Sequence, residues 1–192
     1  MKTYILFGPP GAGKGTHAGA IAEKYNLKHI STGELLRSEI AAGTELGKQA
    51  KGLIAEGKLV PDAVVEGMIK SAFETIEGYD GFLLDGFPRT IAQAESLDKI
   101  LAARGESLKA VISIMIPDEL VYERIKHRAS IEGRADDASD EIIANRIRTY
   151  HNQTEPLIDF YKKDGRYHEV AGYPGTLEEN QFRVLKMVES LA

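Results

Sequence analysis

The stretch Gly8-Pro9-Pro10-Gly11-Ala12-Gly13-Lys14-Gly15-Thr16 decides the fold of this 192-residue chain. It follows an apolar run at residues 4–7, which predicts a buried strand, and it precedes an amphipathic run at residues 18–25, which predicts a helix. A glycine-rich loop in that context aims several backbone N–H groups into one concavity, which binds phosphate, and Lys14 can reach the outer phosphates of a nucleotide. The residue after Lys14 is Gly15 rather than Ser or Thr, which indicates a subgroup that holds its metal ion less directly.

Composition and charge exclude several classes of protein. Hydrophobic residues make up 43% of the chain and charged residues 28%, which is the balance of a globular protein. The net charge of −5 argues against binding of nucleic acid, which needs a basic face. The chain has no cysteine, so disulfides and thiolate metal sites are excluded. No apolar run approaches the length of a membrane span, and we predict a cytoplasmic protein that binds neither membrane nor nucleic acid.

Apolar segments that alternate with helical patterns predict an α/β fold. Strands are predicted at residues 3–7, 28–30, 81–84, 110–116 and 167–170. Several are apolar without alternation, which is typical of a parallel sheet covered on both faces, and the intervening helices predict a doubly wound sheet. Ligands bind at the carboxyl ends of such strands. The segments that follow residues 7, 30 and 84 are therefore expected at one edge.

Two stretches interrupt this alternation. Residues 31–60 carry two helical patterns punctuated by glycines, and they predict a small helical insert at the ligand-binding edge. Residues 128–138 are too polar to pack and too short to form a domain, so they predict a mobile flap. Residues 1–30, 61–127 and 139–192 then form the core, and the chain is a single structural unit overall.

Two charged residues after the third predicted strand are candidates for phosphate chemistry. Asp85 stands at the carboxyl end of that strand, where it can organise Mg²⁺ directly or through water. Arg89 follows four residues later, and its guanidinium suits bidentate contact with phosphate. Together they place a metal ion and an anion opposite the glycine-rich loop.

A second group of arginines lies between residues 124 and 148. Arg124 and Arg128 are four residues apart and share one face of a predicted helix, where like charges repel unless an anion such as a polyphosphate stabilises them. Arg134 lies in the predicted flap. Arg146 and Arg148 point in different directions, so at most one faces the site. No nucleophile and base stand together, which favours direct phosphoryl transfer between two phosphate-bearing ligands.

With these motifs in place, the chain resembles the adenylate kinases over nearly its whole length, in their short-lid form. Besides the glycine-rich loop, the resemblance rests on four motifs in family order: Ile30-Ser31-Thr32-Gly33-Glu34-Leu35-Leu36-Arg37, Gly57-Lys58-Leu59-Val60-Pro61, Phe82-Leu83-Leu84-Asp85-Gly86-Phe87-Pro88-Arg89-Thr90 and Gly133-Arg134-Ala135-Asp136-Asp137. It implies a P-loop NTPase-type, five-stranded parallel sheet flanked by helices. It also makes residues 31–60 the AMP-binding insert and residues 128–138 the ATP lid.

The resemblance implies reversible transfer of the terminal phosphate of Mg-ATP to AMP, which gives two molecules of ADP. It implies a monomer whose partners are the nucleotides ATP, AMP and ADP, with Mg²⁺ near Asp85. The lid lacks the long insert that carries four metal ligands in some relatives, so no zinc is expected. His17 stands where the family usually has glutamine.

The resemblance also implies roles for individual residues. ATP is bound by Gly11, Ala12, Gly13, Lys14, Gly15, Thr16, Arg124, Arg128 and Gly175, the last at the adenine. AMP is bound by Thr32, Arg37, Arg89, Gln93, Arg134 and Arg146, and its pocket is lined by the backbone of Lys58, Leu59, Val60, Gly86, Phe87, Pro88 and Arg89. The catalytic set is Lys14, Arg89, Arg128, Arg134 and Arg146.

Two alternatives stay open. A UMP/CMP kinase or another nucleoside monophosphate kinase would share the fold and mechanism, but its pyrimidine-specific members typically have alanine at the position of Thr32, so Thr32 with Gln93 favours AMP. A nucleotide-binding switch or assembly factor would use the fold without rapid turnover. Arg89, Arg134 and Arg146 weigh against it, because a simple binder needs no clamp on an acceptor.

Overall fold

Five parallel strands form the centre of the molecule. A computed structural model describes residues 1–134 and 137–192, and it has the strands in the order β2-β3-β1-β4-β5. Their bounds are β1 Lys2–Phe7, β2 Leu27–Ser31, β3 Gly81–Asp85, β4 Leu108–Met115 and β5 Tyr167–Ala171. Each predicted strand is present with ends within two residues of those expected. The α/β fold with a five-stranded parallel sheet is therefore confirmed.

Helices cover both faces of the sheet. Their bounds are α1 Lys14–Lys24, α2 Thr32–Ala42, α3 Glu45–Ala55, α4 Asp62–Thr75, α5 Ile91–Ala103, α6 Asp118–Glu132, α7 Asp140–Thr149, α8 Leu157–Lys162 and α9 Leu177–Leu191, and a π-helix, Tyr150–Thr154, follows α7. In the described ranges, no helix is both long enough and apolar enough to cross a membrane. Strand β1 is apolar on both faces because its side chains alternate between two buried clusters. Ile5 packs in one cluster with α4 and α5, and Leu6 packs in the other with α1 and α9.

The insert predicted at residues 31–60 contains two helices, α2 and α3. Each begins at a hydroxyl cap: the side chain of Ser31 accepts a hydrogen bond from the backbone of Glu34, and that of Thr44 accepts one from Gly47. Gly43 ends α2 in the left-handed conformation, with φ of 66°. The insert therefore begins where β2 ends, at the carboxyl edge of the sheet.

The predicted flap at residues 128–138 differs from the expectation in two ways. Helix α6 continues through Glu132 and ends at Gly133, which adopts the left-handed conformation, so residues 128–132 are helical. Asp137 is only 2% exposed, so the expectation that this segment is too polar to pack is wrong for Asp137. Its carboxylate pairs with Arg128 and Arg146, which compensates for the cost of burial. Ala135 and Asp136, which belong to the predicted lid, lie outside the described residues.

Candidate active site

A cleft of about 780 Å³ lies along the carboxyl edge of the sheet, between the glycine-rich loop, the insert and helices α6 and α7. It brings together most of the residues predicted from the sequence. These are Gly11, Ala12, Gly13, Lys14, Gly15, Thr16, Thr32, Arg37, Lys58, Leu59, Val60, Asp85, Gly86, Arg89, Gln93, Arg124, Arg128, Arg134, Arg146 and Gly175. Residues far apart in the sequence therefore form one continuous surface of the size that small-molecule sites have.

Phe87 and Pro88 are the two predicted residues that do not appear among the described lining residues of the cleft. Phe87 is 1% exposed and packs in the core, and it is not among the described residues that line the cleft. Pro88 lines a smaller adjoining cavity of about 90 Å³, together with Gly8 and Tyr150. Their neighbours in the motif, Gly86 and Arg89, line the cleft.

The glycine-rich loop leads from β1 directly into the first turn of α1. Gly8 and Gly13 have φ of 137° and 90°, a region that glycine adopts without strain. A Cβ at Gly8 would come within 2.6 Å of the carbonyl oxygen of Ile114, so the loop can lie against β4 only with glycine there. Helix α1 begins at Lys14 without a side-chain cap, and the first N–H groups and the positive dipole end of a helix are suited to bind an anion.

Lys14 lies within the loop and has an altered acidity. Its Nζ donates hydrogen bonds to the carbonyl oxygens of Gly8 and Pro9, both at 3.0 Å. Burial lowers the pKa of Lys14 to about 8; the carboxylate of Asp85 opposes this effect, and the charge of Arg89 adds to it. The surroundings of Lys14 therefore do not fully balance its positive charge, and this charge would attract a phosphate that enters the loop.

Asp85 is the last residue of β3 and is 8% exposed. Burial by itself raises the pKa of Asp85, but the proximity of His29, Lys14 and Arg89 more than offsets this and holds the pKa below its ordinary value. Its Oδ2 lies 3.6 Å from Nε2 of His29. The carboxylate also faces the loop at Gly15, where an added Cβ would lie 4.0 Å from Oδ2. An ionised oxygen donor beside a phosphate loop fits the preference of Mg²⁺.

The carbonyl oxygen of Gly86 organises the end of the cleft nearest the insert. It accepts hydrogen bonds from Oγ1 of Thr32 at 2.9 Å and from Nε of Arg89 at 2.8 Å. Oε1 of Gln93 accepts a hydrogen bond from the backbone N–H of Arg89 at 2.7 Å, and Nε2 of Gln93 donates to Asp62 at 2.6 Å. This network fixes the side chains of Thr32, Arg89 and Gln93 relative to one another.

Arginines from α6, from α7 and from the segment between them also line the cleft. Arg128 makes a bidentate contact with the buried carboxylate of Asp137, at 2.8 and 2.9 Å, and Arg146 binds the same carboxylate. Arg134 pairs with Glu132 and also lines the cleft. Arg146 lines the cleft and Arg148 is not among its described lining residues, in agreement with the expectation that at most one of the two faces the site.

The sequence reasoning missed several residues at the cleft. His127 was not predicted as a site residue, but it lines the cleft; the signal was its position three residues after Arg124 on the same helical face. Asp137, Asp62 and His29 orient other side chains, and these contacts depend on the tertiary fold. His17 is 3% exposed and lies against the loop, where burial, followed by the charge of Arg124, lowers its pKa.

Fold and cleft together define a class of protein: a P-loop phosphotransferase. The family model described as adenylate kinase matches residues 6–166. The chain is 44% identical over 191 residues to an adenylate kinase of Phocaeicola vulgatus, with 100% of both chains covered. It is 46% identical to those of Bacteroides thetaiotaomicron, with 93% of both chains covered, and Leptospira biflexa, with 98% of this chain and 100% of the relative covered. The chain belongs to the adenylate kinase family.

Proposed function

We propose that this chain transfers the terminal phosphate of Mg-ATP to AMP, reversibly, to give two molecules of ADP in the cleft described above. The observation that carries the proposal is the convergence of one lysine and four arginines on a single cleft with two distinct ends: Lys14, Arg89, Arg128, Arg134 and Arg146. Two phosphate-bearing substrates need that much positive charge between them, whereas a simple nucleotide binder does not. The names of the relatives support the same reaction.

We assign the two ends of the cleft to different substrates. The phosphates of ATP occupy the loop at the N-terminus of α1, and the ATP base extends toward Gly175. AMP occupies the end lined by Thr32, Arg37 and Gln93, with the backbone of residues 58–60 on the insert side. The two terminal phosphates then meet between Lys14 and Arg89.

The mechanism needs no covalent intermediate. Lys14 and the arginines hold the donor and acceptor phosphates in line and neutralise the charge on the transferred group. Mg²⁺, when bound with ATP, would neutralise charge on the phosphate oxygens, and Asp85 would hold it through water. Asp137 keeps Arg128 and Arg146 oriented toward the cleft before the substrates bind.

We propose that residues 31–60, as the AMP-binding insert, and residues 128–138, as the lid, exclude water from the cleft. Closure of these segments over the nucleotides would prevent transfer to water, and adenylate kinase lids are a standard example of such closure. We also propose that the enzyme acts as a monomer in the cytoplasm, with nucleotides as its only required partners. The net charge of −5 supports the part of this proposal that excludes nucleic acid.

Replacement of one arginine tests the proposed reaction. Arg89→Ala removes a guanidinium from the centre of the cleft while the glycine-rich loop stays intact, so we expect kcat to fall by roughly 10²–10³-fold, as for loss of a transition-state donor. ATP affinity, measured by calorimetry, should stay within a few-fold of the unmodified enzyme. Arg148→Ala is the matched control and should leave both values unchanged. Near-normal turnover in Arg89→Ala would remove the assigned role.

A further inference from the structure

The end of the cleft beyond Arg124 is formed by a loop, residues 172–176, whose carbonyl oxygens are held by side chains. Arg124 Nη2 donates to the carbonyl of Gly172 at 3.2 Å, and Arg183 Nη1 donates to that of Pro174 at 2.7 Å. Asn180 Nδ2 donates to the carbonyl of Gly175 at 3.3 Å. Because the three donors come from helices α6 and α9, the direction in which these carbonyls point is set by rigid elements.

Asn180 is an unusual residue for its position. It is 5% exposed on the inward face of α9, where Val184 and Val188 follow at helical spacing and are fully buried. A buried amide is costly unless it is hydrogen-bonded, and Asn180 is satisfied on both sides: its Nδ2 donates to Gly175, and its Oδ1 accepts from Arg183 at 2.8 Å. Since one partner only accepts and the other only donates, the orientation of the carboxamide is defined.

The surroundings of this loop suit a planar base. Ile131 on α6 and Leu177 on α9, the residue that follows this loop, both line the cleft, and they are 71% and 52% exposed although both are large and apolar. Such side chains gain from being covered by the faces of an aromatic ring, while polar groups of the backbone are left to read its edge.

The carbonyl of Gly175 is well placed to read that edge. Gly175 has φ of 136°, a backbone conformation that glycine adopts readily and that strains other residues. A carbonyl oxygen has two lone pairs, and Asn180 occupies one. The other can accept a hydrogen bond from the amino group of adenine, whereas guanine carries an oxygen acceptor at the same position.

We propose that Asn180 and Arg183 are positioning residues that fix the carbonyls of residues 174 and 175 and thereby set the preference of this enzyme for ATP over GTP as phosphate donor. The proposal rests on the proposed function, in which the donor base lies at this end of the cleft. Without the two side chains the carbonyl of Gly175 can turn. Adenine then loses an oriented hydrogen-bond acceptor, and the oxygen of guanine is no longer repelled by a carbonyl held in place.

Steady-state kinetics of Asn180→Leu test this proposal. Loss of one oriented hydrogen bond predicts a rise of about fivefold in KM for ATP and a fall of about fivefold in the ratio of kcat/KM for ATP to that for GTP. KM for AMP and kcat with ATP should stay unchanged, because the other end of the cleft is untouched. Gln181→Leu replaces the neighbouring carboxamide with the same apolar side chain and is the control, for which we expect no effect.

Two more variants keep the test decisive if Asn180→Leu does not fold. Arg183→Met removes both bonds made by Nη1, and Asn180→Asp keeps the shape of the side chain but cannot donate to Gly175; both should raise KM for ATP and lower the ATP-to-GTP ratio. Unchanged values in these folded variants, or equal rises in KM for ATP and AMP, would overturn the proposal. Failure of the proposed function itself would be visible separately, as a lack of AMP-dependent ADP formation by the unmodified protein.

Discussion

At the scale of single residues, Lys14 shows most directly how the fold alters chemistry. Its ammonium group is buried among backbone carbonyls and near arginines, and burial holds its pKa at about 8 rather than the usual value for lysine. The position of this residue follows from the strand–loop–helix motif, but its acidity depends on Asp85, Arg89 and Arg146, which come from distant parts of the chain. The motif alone therefore predicts the position of Lys14 but not the pH at which it loses its proton.

This acidity predicts an alkaline limit on capture of ATP. Because the pKa of Lys14 is lowered, the free enzyme loses this positive charge as the pH rises through about 8, and kcat/KM for ATP should fall above that pH. In the ternary complex the phosphates favour the charged form, so kcat should turn down at a higher pH. Profiles of kcat and of kcat/KM for ATP between pH 6 and 10 measure both declines. A kcat/KM that stays level to pH 10 would contradict the role of Lys14 in binding ATP.

Sequence reasoning at this scale succeeded where backbone chemistry demands a particular residue. The glycines of the loop, Asp85 at a strand end and Arg89 beyond it could be predicted because a sheet edge and a phosphate constrain them locally. Asp137 could not be predicted as a partner of Arg128 and Arg146, since its burial depends on how α6 and α7 meet. The resemblance assigned only the backbone of Phe87 to the AMP pocket, and the aromatic ring packs in the core.

At the scale of helices and strands, the contact between α2 and α3 depends on Gly47. A Cβ at this position would clash with the carbonyl of Glu39 and lie 2.7 Å from the backbone nitrogen of Ile40, and backbone atoms cannot move aside. We expect Gly47→Ala to lower the free energy of unfolding by about 1–3 kcal/mol and to raise KM for AMP. Urea titration and acceptor kinetics measure the two effects.

Gly52→Ala on the same helix is the control for this prediction. No atom lies within 4 Å of its added Cβ, so alanine should stabilise α3 by about 0.5–1 kcal/mol through helix propensity. If the two variants had equal stability, close packing of α2 on α3 would not explain the choice of glycine at position 47.

The π-helix is tied to the start of α6 by His151. Its Nδ1 lies 2.7 Å from Glu155 and its Nε2 lies 2.9 Å from Asp118, and hydrogen bonding to Glu155, together with that to Asp118, raises the pKa of His151. A raised pKa in the folded state means that the stabilisation is fully present below the unfolded pKa of about 6.5 and is lost as the pH rises through the folded value.

His151→Gln should therefore lower Tm more at pH 6 than at pH 9. The effect should be small, under about 1 kcal/mol, because the side chains are partly exposed to solvent. Thermal unfolding of both proteins at the two pH values measures it. An equal loss of Tm at both values would show that the charge of His151 does not hold these elements together.

The strands were the elements best predicted from sequence, and the segment 128–138 was the worst. Strands buried on both faces leave continuous apolar runs that are visible without any tertiary information. The polarity of residues 128–132 indicated a flap, yet no breaker interrupts α6 before Gly133. Polar residues that face a ligand cleft lack the apolar periodicity by which a helix is normally predicted.

At the scale of the whole molecule, the chain is acidic overall but its basic residues are concentrated at the cleft. The chain carries a net charge of −5, whereas the cleft collects Lys14 and the arginines of the loop after β3 and of helices α2, α6 and α7. A positive cleft in an acidic protein attracts anions of nucleotide size. Two ends of this cleft, each with its own polar groups, account for a donor and an acceptor.

The most direct test of this account is a panel of phosphate acceptors. The purified protein with Mg-ATP would be offered AMP, CMP, UMP, GMP or no acceptor, and ADP would be followed by chromatography. The account predicts strong, Mg²⁺-dependent formation of ADP with AMP and little with the other four conditions. Preference for CMP or UMP would contradict the assignment of Thr32 and Gln93 to adenine, and ADP formed without an acceptor would contradict phosphoryl transfer to a nucleotide.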